Sequence, residues 1–336
     1  MTLLLRALPS FKSNPFRNAM KADQAPAASV ALARVTLAGF GEVAQHYARV
    51  LQARDVTVRV FHPCASERSL QAAAAVGLRI ESEAQAFADA QIVLSLTPGG
   101  ASLAVAQAAA NVLPEGAVFA DFTSASPQAI RAGASLFAPG AHADVAIMGA
   151  LSLHGHRTPL LAAGDGAERL RGWLEPLGFA AQVLRGGHSG DATALKLLRS
   201  VFTKGMDAVT IECLLAAEAA GLRPQLLEQM GDMDRVPMRA TIDMYVRTHA
   251  ASAARRLEEM REVQAQLEAL GMRPQVTPAI IARYVRTVGM LGDAATNPPV
   301  PEGTPVGDVV MPWLLAAERA APDTSIDSQT RSEGTA

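Results

Sequence analysis

The sequence predicts a chain in two parts, an α/β half built on a parallel sheet and then an all-helical half. Three observations carry that prediction. Short apolar runs alternate with helical segments between residues 34 and 184, as strands and crossover helices do. Beyond the glycines at 186, 187 and 190, the apolar residues recur almost entirely at helical spacing. The first apolar run also ends in Gly39-Phe40-Gly41, directly ahead of a helical segment.

Composition bounds the rest. With 336 residues, 49% hydrophobic and 18% charged, the chain is long enough for two cores and too apolar for disorder. A net charge of -2 without a sustained basic block sets aside a nucleic-acid partner. No apolar run reaches the length of a membrane span, and Leu3-Leu4-Leu5 is too short for a signal-peptide core. The two cysteines, Cys64 and Cys213, stand in unrelated contexts, so reduced thiols and a cytoplasmic location are expected. Residues 1–32 carry Arg6, Lys12, Arg17 and Lys21 against Asp23 and read as a flexible extension. Residues 321–336 are polar and read as a disordered tail. Between them, 33–188 is expected to be a Rossmann-type dinucleotide-binding domain and 189–320 an all-α substrate and dimerisation domain.

The first strand is expected over 34–38 and its helix to about residue 54. Gly39 permits the tight turn, Gly41 lets backbone approach a pyrophosphate, and Ala44 is small enough for close helix packing. The helix start offers N–H groups and a positive dipole end to phosphate, so Gly39, Phe40, Gly41, Glu42 and Val43 are the expected cofactor contacts. An acid suits the helix dipole at Glu42 but would repel phosphate, so its side chain should point away. The second strand (56–61) leads to His62, where an NAD-binding chain would carry a carboxylate. His62 if protonated, or Arg68, suits a 2′-phosphate. The cofactor expected is therefore NADP or NAD, tilted toward NADP.

A strand over 90–96 ends in Thr97-Pro98, a loop placed for cofactor contact at a strand's carboxyl end. A strand over 116–121 leads into Thr123-Ser124, short donors able to fix an anion, or a cap by Ser124 or Ser126 ahead of Pro127. A strand is expected at 158–163, a helix at 168–177 and a last strand at 180–184. His154-Gly-His156 has no acid or cysteine close by in sequence, so no metal site is expected.

From the glycine turn a long helix runs to Gly221, apolar except for a polar line at Lys196, Ser200, Thr203 or Lys204, and Asp207. Further helices are expected at 226–233, 237–248, 252–270 and 277–290, with a last one to Ala320 that has Pro312 near its start. His249, Arg256 and Met260, at steps of seven and four, share one helical face on this reading. Arg256 there is a candidate for a substrate carboxylate.

The stretch from Gly187 to Lys196 resembles the β-hydroxyacid dehydrogenases, which include 3-hydroxyisobutyrate and 6-phosphogluconate dehydrogenases. Their Gly-x-x-Gly-x-Gly-x-x-x-Lys-x-x-x-Asn is matched at Gly187, Gly190 and Lys196, with Ala192 for the third glycine and Ser200 for the asparagine. The resemblance implies that Lys196 transfers the proton, that Ser200 stands where the family contacts substrate, and that Thr97-Pro98 lies against the nicotinamide ribose. It places Thr123-Ser124 at the family's substrate-carboxylate motif. It also aligns Asp144 and Gly149 with Asp-Ala-Pro-Val-Ser-Gly-Gly, Met148 replacing the serine and giving a less polar substrate pocket. Thr203 replaces the glutamate by which the phosphogluconate enzymes decarboxylate. The helical half is similar to the branch whose C-terminal domain has no assigned function. The expected activity is hydride transfer between NAD(P) and a hydroxy-acid-type small molecule, by a homodimer. Imine or opine-type reduction, and a non-catalytic NADP-binding sensor, are the alternatives.

Overall fold

The computed structural model describes residues 34–292 and 296–321, so the expectations for the extension before residue 33 and the tail after 321 fall outside it. The chain divides into two compact units at Arg199/Ser200.

Among the described residues the first unit carries eight strands: β1 (Arg34–Ala38), β2 (Thr57–Phe61), β3 (Ile80–Glu81), β4 (Ile92–Ser95), β5 (Val118–Asp121), β6 (His142–Ile147), β7 (Leu160–Ala163) and β8 (Ala181–Val183). They form one sheet in the order β3-β2-β1-β4-β5-β6-β7-β8. Neighbours are parallel except β6 and β7. The helices between them are α1 (Glu42–Gln52), α2 (Glu67–Ala74), α3 (Glu83–Phe87), α4 (Ser102–Ala110), α5 (Pro127–Ala134), α6 (Leu151–His154) and α7 (Ala167–Leu174). Strands covered on both faces bury every side chain, which is why β4 and β5 read as apolar runs up to Ser95 and Asp121. One core layer holds Leu37, Tyr47, Leu51, Ile92, Leu94, Leu170 and Leu174, and another holds Phe61, Phe87, Val93 and Phe119.

A long helix, α8 (Asp191–Ala219), begins in the first unit and ends in the second. The second unit continues with α9 (Arg223–Gln229), α10 (Met238–Thr248), α11 (Ala253–Ala269), α12 (Val276–Leu291) and α13 (Val306–Ala320). Three expectations need correction. The helix expected at 226–233 ends at Gln229 and gives way to a 3-10 segment, Met230–Arg235. The last helix starts six residues before Pro312, which lies inside it. Proline there forfeits one intrahelical bond, and burial of Val306 and Val310 holds the turns on its N-terminal side. His249 and Arg256 do not share a helix face, because His249 is the C-cap of α10 and Arg256 lies in α11.

Candidate active site

The strand order reverses direction at β1, whose neighbours are β2 and β4. In an open parallel sheet this switch point opens a crevice at the strands' carboxyl ends. Gly39 sits there with φ +92°, its N–H donating to the Phe61 carbonyl at 2.7 Å. A Cβ on Gly39 would lie 2.9 Å from the Leu96 carbonyl oxygen, so conformation and space both demand glycine. Gly41 differs. Its backbone is extended, it opens α1 without a side-chain cap, and a Cβ on it would meet nothing within 4 Å. Among the described residues no neighbour explains that glycine, and the N–H groups behind it have no side-chain cap.

Phe40 is buried, Val43 packs on the core and Glu42 is exposed, so these residues offer the site backbone N–H groups rather than side chains. Ala44 is fully buried, as close packing of α1 requires. Across the crevice, Thr97 Oγ1 is buried and makes no hydrogen bond among the described residues. An orphaned hydroxyl, an uncapped helix start and an unfilled glycine cradle together fit a dinucleotide. His62, after β2, is half-buried, and burial lowers its proton affinity. That weakens the expectation of a protonated His62 for a 2′-phosphate. Arg68 lies exposed on α2.

The loop after β4 is pressed against the loop after β5. A Cβ on Gly99 would stand 2.8 Å from Ala125 N and 2.9 Å from the Ser124 carbonyl oxygen. Thr97-Pro98 and Thr123-Ser124 are thereby held side by side, with Pro98 exposed. The two hydroxyls differ in employment. Thr123 is buried and its Oγ1 accepts from Ala125 N at 3.3 Å, while Ser124 is exposed. The cap of α5 belongs to Ser126, which accepts from Ala129 N at 3.2 Å. Asp121 fixes this corner, accepting from Ser102 Oγ at 2.6 Å and Thr123 N at 2.8 Å.

The strand register sets Asp121 beside Asp144. Asp144 is fully buried. Its Oδ2 accepts from Gly190 N and Thr193 N, both at 2.9 Å, and its Oδ1 from Thr193 Oγ1 at 2.6 Å. Burial raises this carboxyl above the usual range, against the hydrogen bonds from Thr193 and Gly190. One turn beyond Thr193, Lys196 is half-buried in the first unit. Burial lowers its proton affinity, and the Asp144 carboxylate acts in the opposite direction. The flanking Leu195 and Leu197 are exposed, so the burial of the amine does not come from them.

The glycine turn ahead of α8 is sterically specified. A Cβ on Gly190, at φ +96°, would lie 2.8 Å from the Pro127 carbonyl oxygen, and one on Gly187 would lie 2.8 Å from the Leu184 side chain. Ala192 sits with Ala146 and Ala163 in a small apolar cluster that Met148 also packs against, so alanine fills that space productively. Gly149 lies just beyond β6, where a Cβ would be 3.2 Å from Thr158 Cγ2. Ser200 and Arg256 belong to the second unit. There Arg256 Nη2 donates to Thr248 Oγ1 at 2.8 Å. Among the described residues no cluster of three or more metal-ligating side chains exists, and no helix is long and apolar enough to cross a membrane.

Residues 217–287 match the model of a domain of unknown function, DUF1932. The conserved protein MTH1747, of unknown function and with structural similarity to 3-hydroxyacid dehydrogenases, is 31% identical over 76% of this chain and 96% of its own, with a TM-score of 0.52. A conserved hypothetical protein from Sinorhizobium meliloti 1021 is 28% identical, covering 87% of this chain and 97% of its own, with a TM-score of 0.52. An imine reductase from Myxococcus stipitatus, solved with NADP+, shares the fold at 18% identity, covering 78% of this chain and 96% of its own with a TM-score of 0.63. This chain belongs to the β-hydroxyacid dehydrogenase superfamily, in the branch that carries the DUF1932 helical domain.

Proposed function

We propose that this chain is an NAD(P)-dependent oxidoreductase that moves a hydride between the cofactor and a hydroxy-acid-type small molecule, with Lys196 as proton donor and acceptor. The observation that carries this reading is the half-buried Lys196 amine beside the buried Asp144, in the same unit as the Gly39–Gly41 turn. Residue usage supports it. The only lysines in the sequence are Lys12, Lys21, Lys196 and Lys204, against a combined 30 for Lys and Arg. A chain that uses arginine for most of its positive charge carries at 196 a cation that can give up its proton.

The backbone N–H groups at the start of α1 would hold the pyrophosphate, and Thr97 Oγ1 with Pro98 would line the ribose side. When bound, the cofactor supplies the hydride acceptor or donor. The Thr123 and Ser124 hydroxyls would orient the substrate carboxylate, beside the less polar wall at Met148-Gly149. Ser200 and Arg256 are candidate substrate contacts by their place in the sequence pattern alone. Lys196 takes the hydroxyl proton as the carbon is oxidised and returns it in the reverse direction. The missing carboxylate at His62 favours NADP over NAD. Because burial lowers the proton affinity of His62, Arg68 is the better-suited side chain to pair with a 2′-phosphate.

Leu198, Val201, Met206 and Leu215 on α8 are all exposed. Apolar exposure on that scale supports a homodimer. Titration with NADPH and NADH, followed by oxidation assays over branched and phosphorylated hydroxy acids, tests the activity. Cofactor binding with no turnover of any substrate would leave a sensor in its place.

Imine reduction is the second reading. Met148 and Ser200 stand where the family pattern has a serine and an asparagine, which supports a less polar substrate, and the fold is shared with imine reductases. Reduction of a cyclic imine without oxidation of any hydroxy acid would select it.

A further inference from the structure

We propose that Asp144 is the positioning residue for Lys196, locking the first turn of α8 and standing as the counter-charge of the amine. The inference deepens the reading of Lys196 as the proton-transfer group and rests on it.

Helix starts are ordinarily closed by a Ser, Thr, Asp or Asn at the N-cap itself. Ahead of α8 stands Gly190, which has no side chain to offer, and its φ of +96° and its fit under Pro127 admit no other residue. The closure comes instead from another element. Asp144, on β6, takes the Gly190 and Thr193 N–H groups at 2.9 Å and the Thr193 hydroxyl at 2.6 Å. The start of α8 is therefore referenced to the sheet and not only to its own turn. Lys196 follows Thr193 by one helical turn, on the same face, so the carboxylate that holds Thr193 also fixes where the amine emerges.

The charges agree with that geometry. Burial weakens the hold of Lys196 on its proton, and the Asp144 carboxylate strengthens it. Other charged or titratable groups around this corner include Asp121 on β5, His142 two residues earlier on β6, Asp165 after β7, His188 in the turn, and Asp191. His142 Nδ1 meets Ser189 Oγ at 2.9 Å, and Asp191 is paired with Arg131 at 3.1 Å. A helix lock alone would leave the amine's affinity for protons untouched; a counter-charge would not.

The test reads that difference without any substrate. Only four lysines occur in the sequence, so the full chain labelled with ε-13C-lysine gives few signals, and Lys196→Met identifies the one that matters. The Lys196 signal is expected to titrate below the ordinary lysine value. In Asp144→Asn, which keeps the shape and one acceptor, Lys196 should lose about tenfold more of its proton affinity, while Lys204 stays in place. A Lys196 curve unchanged by Asp144→Asn overturns the proposal. Should that variant fail to fold, the unaltered chain decides. Protonation of Asp144 then appears as a second, smaller acid inflection on the Lys196 signal and not on that of Lys204, and its absence overturns the proposal equally. Because neither measurement involves turnover, an inactive chain with the linked titration would refute the proposed function and leave this inference standing.

Discussion

Glu212 on α8 closes the start of α12 through Thr277, taking its N–H at 2.8 Å and its hydroxyl at 2.7 Å. Gln275 N and Val276 N reach the other carboxylate oxygen at 2.5 and 2.8 Å. One side chain thus satisfies three backbone donors at a helix start that lacks a cap of its own.

Burial works to raise the Glu212 carboxyl, and the hydrogen bonds from Thr277, Val276 and Gln275 outweigh it and hold the group at about 2, against an ordinary 4.5. A depressed carboxyl stabilises the fold fully above its unfolded value and loses that contribution as pH falls through the folded one. The helical unit should therefore weaken between pH 4.5 and 2. Glu212→Gln should flatten the pH dependence in that window and cost about 1–2 kcal/mol at neutral pH. Thermal unfolding across that range checks both; an unchanged slope in the variant would mean Glu212 is not the group responsible.

The two glycines of the first turn should fail differently. An alanine at Gly39 meets both a positive φ and the Leu96 carbonyl at 2.9 Å, so Gly39→Ala should lose about 1–3 kcal/mol of stability. An alanine at Gly41 meets nothing within 4 Å, so Gly41→Ala should melt like the parent chain yet bind NADPH at least about tenfold more weakly, a loss of about 1.4 kcal/mol. Undiminished NADPH binding by Gly41→Ala would put the phosphates somewhere other than over this turn.

The glycine turn was legible because its chemistry is local: strand, bend and helix start lie within a dozen residues. The sheet was legible because burial on both faces writes continuous apolar runs. The work of Asp144 was not, since its donors lie 46 and 49 residues away and nothing in His-Ala-Asp-Val announces them. Helical phase also misled across 249–256, because the alanines and serine between α10 and α11 suit a helix although the chain breaks there. Pro312 suggests a nearby helix start for the reverse reason: a residue poor in helix interiors is tolerated where packing outweighs one lost bond.

The exposed stripe on α8 predicts self-association. Val201 is 76% exposed and Leu198 67%, values far from those of a helix buried within its own chain. Sedimentation at micromolar concentration should return twice the chain mass, and Val201→Glu combined with Leu198→Glu should return the single chain with its first unit still folded. A parent chain that sediments as a monomer would remove the homodimer from the proposal.

Lys196→Arg separates charge from proton transfer. Arginine preserves the cation and most of the reach, but it does not deprotonate at any working pH. If Lys196 is the base, Lys196→Arg should lose on the order of a hundredfold or more in kcat, as Lys196→Met should, while NADPH affinity holds. The pH profile fixes the sign. Oxidation needs the neutral amine, so its rate should rise with pH through the value to which burial has lowered Lys196. The reverse reduction needs the ammonium and should fall over the same interval. Burial places that interval below the range of an exposed lysine, and the Asp144 carboxylate keeps it from dropping further. A Lys196→Arg chain that turns over at the parent rate, or a profile whose rising limb survives Lys196→Met, would show that the proton is handled by a different group.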